Sequence, residues 1–197
     1  MRNKLRLAFS WSVIVLFVLQ ASLVLLSWLL AAAMPSTGVH SMLSSEGLRW
    51  FFGRFVSLLC HPMLVWLLLL SIAGGAVARC GIFHFSRHSY RQRVALESAL
   101  AFLALVVVAM LLLTLMPHAV LLSAVGTLFP SSFSHGLVPV TAFSLTTMSL
   151  IYGYLSGQFK GVDVLIDVLT DGVRAAAPLF VLYVQAVELL GSILFVF

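Results

Sequence analysis

Four long stretches of this chain contain no Asp, Glu, Lys or Arg: residues 7–45, 55–78, 98–159 and 175–187. A helix needs about 20 apolar residues to cross the hydrocarbon layer of a bilayer, because unpaired backbone groups there cost several kcal/mol each. Three of the stretches are long enough for at least one such helix, and the longest is long enough for two. The chain is 62% hydrophobic and 9% charged, whereas a soluble domain carries about 25% charged residues. The sequence therefore predicts an integral membrane protein.

The apolar segments predict a single all-α membrane domain, residues 1–197, with about five transmembrane helices. A cleaved signal peptide is the competing interpretation of the first segment, because three alanines before Met34 resemble a cleavage site. The apolar region of a signal peptide runs about 7 to 15 residues, and this one is nearly twice as long, which favours a retained helix. Segment 117–136 is broken by Pro130 and several serines, which predicts a loop or a partial dip into the membrane. The predicted spans are residues 8–33, 62–78, 94–116, 137–157 and 175–197.

The distribution of Lys and Arg predicts the orientation of the chain. The N-terminus, the 79–93 loop and the 158–174 connector carry three, four and two of these cations, whereas the opposite side carries only Arg49 and Arg54. Because positive residues are retained in the cytoplasm, we expect a bacterial-type inner membrane protein with its N-terminus inside and its C-terminus outside. The net charge of +5 thus reflects topology. The Lys and Arg residues lie in short clusters and form no basic face for nucleic acid.

Residues 44–59 predict an amphipathic helix on the outer membrane surface. Ser44 or Ser45 can cap its start, and Glu46 suits the positive first turn and is spaced to pair with Arg49. Aromatic rings and snorkelling cations are typical of a helix that lies along the interface. The apolar positions share one helical face: Leu48, Phe51, Phe52, Phe55, Leu58 and Leu59. The expected interfacial anchors are Glu46, Arg49, Trp50 and Arg54.

The 158–174 connector predicts a second, shorter amphipathic helix on the cytoplasmic side. Asp163, Asp167 and Asp171 recur at helical spacing on one face. Three carboxylates in a row can attract a cation, but an acidic, solvent-facing side of a surface helix is the favoured interpretation.

Glu188 is the main candidate for chemistry, and Gln185 and Ser192 share its face of the fifth span. An ionisable group within a membrane segment costs at least about 2.5 kcal/mol and usually faces a protein interior or water. The functional interpretation is a proton or substrate contact, with Gln185 and Glu188 as substrate-binding residues. The alternative is a shallow carboxylate near the outer surface, since only nine residues follow Glu188.

Hydroxyl groups and small residues of the spans predict helix packing. Gly153 and Gly157 lie at i, i+4 spacing, and with Gly74 they are expected to let helix backbones approach closely. The hydroxyls of the fourth span offer either a polar path or, as we favour, hydrogen bonds between helices. They belong to Thr141, Ser144, Thr146, Thr147, Ser149, Tyr152, Tyr154 and Ser156.

Cysteine and histidine spacing does not favour a metal site. Cys80, His84 and His88 lie at i, i+4 and i+8, but a structural zinc ion takes four ligands and no fourth is evident beside them. Cys60 and Cys80 are expected at opposite membrane faces, which excludes a disulfide within one chain. Arg87, Arg91 and Arg93 are interpreted as topology determinants and lipid-headgroup contacts.

Three stretches resemble, in the same order, motifs of the p-aminobenzoyl-glutamate transporter (AbgT) family. LSSEGLRWFFGRFVSLL with GGAVARCGIF is similar to the family's Leu-Ser-x-x-Gly-Leu-x-Trp surface helix and the span that follows it. PSSFSHGLVP, from Pro130 to Pro139, resembles Pro-Ser-x-Phe-x-x-Gly-Ile-Val-Pro, and IYGYLSGQFKGVDVLIDVL resembles a span end with its cytoplasmic helix. The resemblance covers most of the chain. It implies an ion-gradient-coupled transporter of an aromatic amino-acid conjugate, commonly a homodimer.

The two re-entrant hairpins that frame substrate and coupling cation in this family have no counterpart here. The chain passes from Gly81 to Arg93 across one short loop where the first hairpin is expected. Of the family's Gln-Phe-x-x-x-Phe-Asn-Trp pattern, the fifth span keeps only Gln185, with Gly191 and Ser192 at the Asn and Trp positions. A non-transporting membrane scaffold, either half of a split transporter or an accessory subunit, is therefore the alternative function.

The sequence predicts no enzyme and no catalytic residue. It contains no nucleophile–base pair, phosphate loop or nucleotide fingerprint. The expected partners are the lipid bilayer and either a second copy of the chain or a second membrane subunit. Apart from a coupling cation or proton, no cofactor is expected.

Overall fold

The computed structural model describes residues 2–34, 38–84, 89–115 and 132–197. Within these ranges the chain forms six α-helices and one short 3-10 turn, Ile82–His84, and contains no strand. The helices are α1 (Arg2–Ala33), α2 (Ser45–Leu59), α3 (Pro62–Arg79), α4 (Tyr90–Leu115), α5 (Ser132–Ser156) and α6 (Val162–Val196).

Five of the described helices, all except α2, are long and apolar enough to cross a membrane. Many of their large apolar side chains face outwards, such as Phe17 of α1 and Leu105 of α4, which are 65% and 66% exposed. A surface of this kind is stable only against lipid or other apolar groups. The prediction of an all-helical, multi-pass membrane protein with five spans is thus confirmed at the level of helix length and composition.

Helix α6 corrects the prediction of a short acidic helix that is separate from the fifth span at 175–197. It runs without interruption over 35 residues and contains both Gly172 and Pro178. Proline removes only one backbone donor from a helix, and membrane helices tolerate such residues where neighbouring groups satisfy the freed carbonyl. The connector and the fifth span are therefore one helix.

Helix α5 begins at Ser132, earlier than the predicted start at residue 137, so residues 132–136 of the predicted loop are helical. Polar side chains suit a first helical turn, where backbone N–H groups have no partner within the helix. A search for apolar length therefore underestimates this end of the helix. The rest of the predicted 117–136 loop lies outside the described residues, as does Met116 at the end of the predicted third span.

The chain divides into two compact units, and each is described by itself. The first unit comprises Met1–Val65 with Ala177–Phe197, and the second comprises Trp66–Ala176. Helices α3 and α6 each contribute residues to both units.

In the first unit, serine side chains fix the turn before α2. Ser44 Oγ accepts a hydrogen bond from the backbone N–H of Gly47 at 3.0 Å and donates one to the Ser41 carbonyl at 2.7 Å. Of the two predicted caps it is thus Ser44 that caps the helix. Ser27 of α1 is fully buried, and its Oγ accepts a hydrogen bond from the Met42 N–H at 3.1 Å. These bonds attach the start of α2 to α1.

In the second unit, small residues allow α3 and α6 to touch through their backbones. A Cβ atom added to Gly172 would overlap the Ser71 carbonyl oxygen and lie 2.9 Å from the Cα of Gly75. Gly74, which the sequence analysis selected, has open space at its Cβ position within the described residues. Gly75 is the glycine at this contact. The core of the unit consists of Ala76, Cys80, Ala95, Ala99, Tyr152, Phe159 and Val168.

We expect Gly172→Ala to destabilise the second unit by about 1–3 kcal/mol, because the added methyl group overpacks the α3–α6 contact. Gly74→Ala is the matched control, since its methyl group meets open space. Stability can be measured by heating the protein in detergent with a thiol-reactive fluorophore, in a Cys60→Ser background. Cys80 is fully buried and reports unfolding. Equal melting temperatures for the two variants would contradict the close contact.

Candidate functional site

A buried polar pair joins α1 to α6 in the first unit. Gln20 Nε2 donates a hydrogen bond to Ser192 Oγ at 2.9 Å, and Ser192 is fully buried. Gln20 Oε1 is also buried and has no hydrogen-bond partner among the described residues. Residue 20 lies midway along the apolar part of α1, Leu7–Ala33. The pair is therefore far from either end of the first span.

Glu188 lies one helical turn before Ser192, and both residues line a narrow crevice. Glu188 is partly buried there. Within the described residues no Lys, Arg or His forms an ion pair with Glu188. The other residues that line the crevice are apolar and belong to α2: Trp50, Phe51, Phe55, Leu58 and Leu59. A carboxylate in such surroundings has few ways to compensate the loss of water.

The Gln20–Ser192 bond relates the position of Glu188 to the apolar length of α1. Ser192 lies level with the middle of the α1 span, and one turn of helix is about 5.4 Å. Glu188 therefore lies alongside the apolar length of α1.

Gln185 is partly buried on the same helix as Glu188, but the side chains that line the crevice do not include it. The sequence analysis missed Gln20, which is the amide that contacts this face of α6. The signal for it was present, because Gln20 is an isolated amide in the middle of a 27-residue apolar span. Buried amides in membrane helices commonly hydrogen-bond to another helix.

Helix α2 runs alongside α6 in the first unit. The rings of Trp50 and Phe195 stack with their centroids 4.5 Å apart, Leu58 packs against Gly191, and Tyr183 Oη donates a hydrogen bond to the Leu59 carbonyl at 3.3 Å. These contacts cover residues 183–195 of α6, about 18 Å of helix. Helix α2 is thus a wall of the crevice.

The predicted interfacial anchors have different surroundings in the structure. Arg49 and Arg54 are exposed, whereas the Trp50 ring packs inside the first unit. Glu46 Oε2 lies 3.9 Å from His40 Nδ1, and this replaces the predicted pairing with Arg49. The predicted apolar face divides in two. Phe51, Phe55, Leu58 and Leu59 line the crevice. Leu48 and Phe52 are exposed, and so is the neighbouring Val56.

The three aspartates of α6 do not act as one group. Asp171 forms ion pairs with Arg79 of α3 and, at 3.3 Å, with Arg174 of its own helix. Asp163 and Asp167 are exposed. Asp171 therefore joins α3 to α6, and this structural role replaces the predicted solvent-facing one at that position.

The hydroxyls of α5 bond to their own helix. Thr141, Ser144, Thr146 and Ser149 each donate to the carbonyl four residues earlier, at 2.6–2.8 Å. Such bonds satisfy a hydroxyl without a second helix. Among the described residues, these four groups donate no hydrogen bond to another helix.

Gly153 and Gly157 allow the chain to form the turn that follows α5. A Cβ atom on Gly153 would overlap the ring of Phe159, so this glycine packs against its own chain. Gly157 has a φ of +81°, a left-handed conformation that favours glycine after a helix. The backbone N–H groups of Gln158 and Phe159 both donate to the Gly153 carbonyl. The i, i+4 spacing thus reflects a helix end.

The cysteine and histidine candidates are only partly described. Cys80 is fully buried, and its Sγ donates to the Val77 carbonyl at 3.1 Å. His88 lies outside the described residues, and the side chain of His84 is not described. Among the described residues no group of three His, Cys, Asp or Glu side chains forms a metal site.

Comparisons with known proteins do not assign the chain to a family. No protein-family model, no curated protein and no solved structure matches it. The function must therefore be argued from the residues of the chain itself.

The contact between α1 and α6 can be tested by chemical cross-linking. In a Cys60→Ser, Cys80→Ser background, Gln20→Cys combined with Ser192→Cys is expected to react with a short bifunctional thiol reagent, because the two side chains touch. Val18→Cys with Ser192→Cys is the control, since Val18 is exposed on another face of α1. Cross-linked chain is detected by mass spectrometry. Equal yields for both pairs would exclude this packing.

Proposed function

We propose that this chain is a small, ion-gradient-coupled membrane transport protein that moves an aromatic amino-acid conjugate. The observation that carries the proposal is Glu188, a carboxylate without an ion-pair partner among the described residues, deep beside the apolar length of α1. Ionisable groups in membrane segments are costly and commonly mark proton relays or ion pathways. The resemblance of three motifs to p-aminobenzoyl-glutamate transporters supplies the substrate class.

The size of the crevice favours a proton as the species that Glu188 carries. The cavity beside Glu188 and Ser192 has a volume of about 10 Å³, at the lower limit for one water molecule. An organic substrate does not fit there, and a metal cation of the Na⁺ or Ca²⁺ type takes several oxygen ligands. A proton needs only the carboxylate, and its uptake removes the charge that the apolar wall disfavours.

In this proposal the substrate contacts other groups of α6 and α2. Gln185 offers an amide for a polar substrate group, and it lies one turn from Glu188 along α6. The exposed ring of Phe52, outside the crevice on α2, offers a surface against which an aromatic group can stack. Proton uptake at Glu188 and substrate binding then involve the same two helices, α2 and α6.

Partners and location follow from the same proposal. The chain resides in a bacterial-type inner membrane, with the N-terminus in the cytoplasm and the C-terminus outside. It contacts the lipid bilayer and works as a homodimer or with a second membrane subunit. The cation-rich ends of the spans support this orientation.

A second candidate function is a non-transporting scaffold or accessory subunit. The outer faces of α1 and α4 carry large apolar side chains, including Trp11, Phe17 and Trp28 of α1, which are more than half exposed. Such faces suit a second membrane polypeptide as well as lipid.

Transport can be tested with the purified chain in liposomes under an imposed pH gradient, with radiolabelled p-aminobenzoyl-glutamate as the probe. We expect gradient-driven uptake by the wild type and uptake at the level of protein-free liposomes for Glu188→Gln, because glutamine keeps the shape of the side chain but cannot exchange a proton. Glu46→Gln, at an exposed carboxylate of α2, is the matched control. Normal gradient-driven uptake by Glu188→Gln would remove Glu188 from coupling. Wild-type uptake no greater than that of empty liposomes would contradict transport of this probe.

The native mass of the protein in mild detergent separates the two candidates. A self-sufficient transporter is expected at one to three copies of the 21.5 kDa chain. A larger complex that contains a second membrane polypeptide in fixed proportion would favour the scaffold. The measurement requires protein purified from its own host, so that a natural partner is present.

A further inference from the structure

A cationic cleft, distinct from the Glu188 crevice, opens in the second unit. It forms where α5 ends, close to the first residues of α4 and α6, and has a volume of about 450 Å³. Arg91 and Lys160 contribute the cations, and Tyr154, Gly157 and Phe159 form much of the remaining wall. Ligand sites commonly have volumes of 300–1,000 Å³. The cleft is therefore large enough for a ligand group.

Neither cation of the cleft is neutralised by a described carboxylate. Within the described part of the chain, no Asp or Glu oxygen lies within ion-pair distance of Arg91 or Lys160. Asp163, the carboxylate nearest to Lys160 along the chain, is not among the residues that line the cleft. Two cations that face one open space attract an anion, and an arginine fork suits phosphate oxygens in particular.

The head group of Arg91 lies against Gly157. A Cβ atom at Gly157 would lie 3.2 Å from Arg91 Nη2, so the guanidinium group rests directly over the glycine backbone. The left-handed φ of Gly157, +81°, already favours glycine at this turn. One residue thus ends α5 and leaves the space that the Arg91 head group occupies.

The cleft lies where the apolar lengths of two spans end. Arg91 is next to the start of the candidate span Tyr90–Thr114, and Tyr154 is near the end of Ser132–Ser156. Tyr154 is 66% exposed and Leu155 is exposed beside it. Tyrosine is typical of the headgroup level of a bilayer, with its ring against acyl chains and its hydroxyl in the polar layer.

We propose that this cleft binds the phosphate group of an anionic phospholipid. Basic pockets between membrane helices on the cytoplasmic side are suited to anionic headgroups, and the distribution of Lys and Arg predicts that side for this cleft. The exposed Tyr154 and Leu155 at the rim favour a lipid over a soluble phosphate, because they offer apolar contact to acyl chains. The proposal concerns the second unit only and does not depend on transport by the first.

Native mass spectrometry of the full chain in detergent, titrated with phosphatidylglycerol or phosphatidylcholine, tests the site. Binding of phosphatidylglycerol is expected to exceed that of phosphatidylcholine. It should weaken about fivefold in Arg91→Gln or Lys160→Gln and about thirtyfold in the double variant, since a Lys or Arg near anionic lipid contributes about 1 kcal/mol. Lys4→Gln removes a cation from α1 that does not line the cleft, and this control should bind as the wild type does.

A second variant tests geometry without a change of charge. Gly157→Ala should displace the Arg91 head group and weaken phosphatidylglycerol binding while the net charge is kept. A titration with glycerol 3-phosphate distinguishes the source of the phosphate, because a soluble ligand would bind without lipid and compete with it. Equal binding of the two lipids, or full binding by the double variant, would overturn the proposal. Tight binding of glycerol 3-phosphate with no preference between the lipids would show a soluble ligand instead.

Discussion

A polar group inside the hydrocarbon layer must find its hydrogen-bond partner within the protein, because no water is present to supply one. Four hydroxyls of α5 meet this requirement locally, through carbonyls of their own helix, as Ser144 and Thr146 illustrate. The Nε2 group of Gln20 meets it through another helix, at Ser192. That bond joins α1 to α6 one helical turn from Glu188, and so places Glu188 beside the apolar length of α1. The proposed coupling role of Glu188 therefore depends on a hydrogen bond that Glu188 does not itself make.

The spans were predictable because charge-free length is a local property of a sequence. The helix boundaries that were predicted wrongly depend on contacts with other parts of the chain. Gly172 and Pro178 interrupt helices in water, but inside α6 the glycine is at a close helix contact and the proline leaves the helix continuous. The choice between Gly74 and Gly75 is of the same kind. Either glycine permits close approach, and only the register of α3 against α6 selects Gly75.

The candidate site was predictable in part. Glu188 is conspicuous in any apolar segment, and Ser192 shares its helical face. Gln20 was not connected to them, because a pairing between distant helices leaves no periodic pattern in a single sequence. For the same reason, the sequence did not predict that the apolar face of α2 divides into a crevice-lining part and an exposed part. Helical spacing groups Phe51 with Phe52, whereas tertiary packing places Phe51 in the crevice wall and leaves Phe52 exposed.

The Gln20–Ser192 bond also has a consequence for biosynthesis. The two residues are 172 positions apart, which at 5–20 residues per second is roughly 10 to 30 s of translation. During that interval the first helix is already in the bilayer while its amide has no Ser192 to bind. The first unit can therefore close only after the last helix has been inserted, so its assembly is a late, post-insertion event. Until then the Nε2 group of Gln20 lacks the partner on α6 that it has in the complete chain.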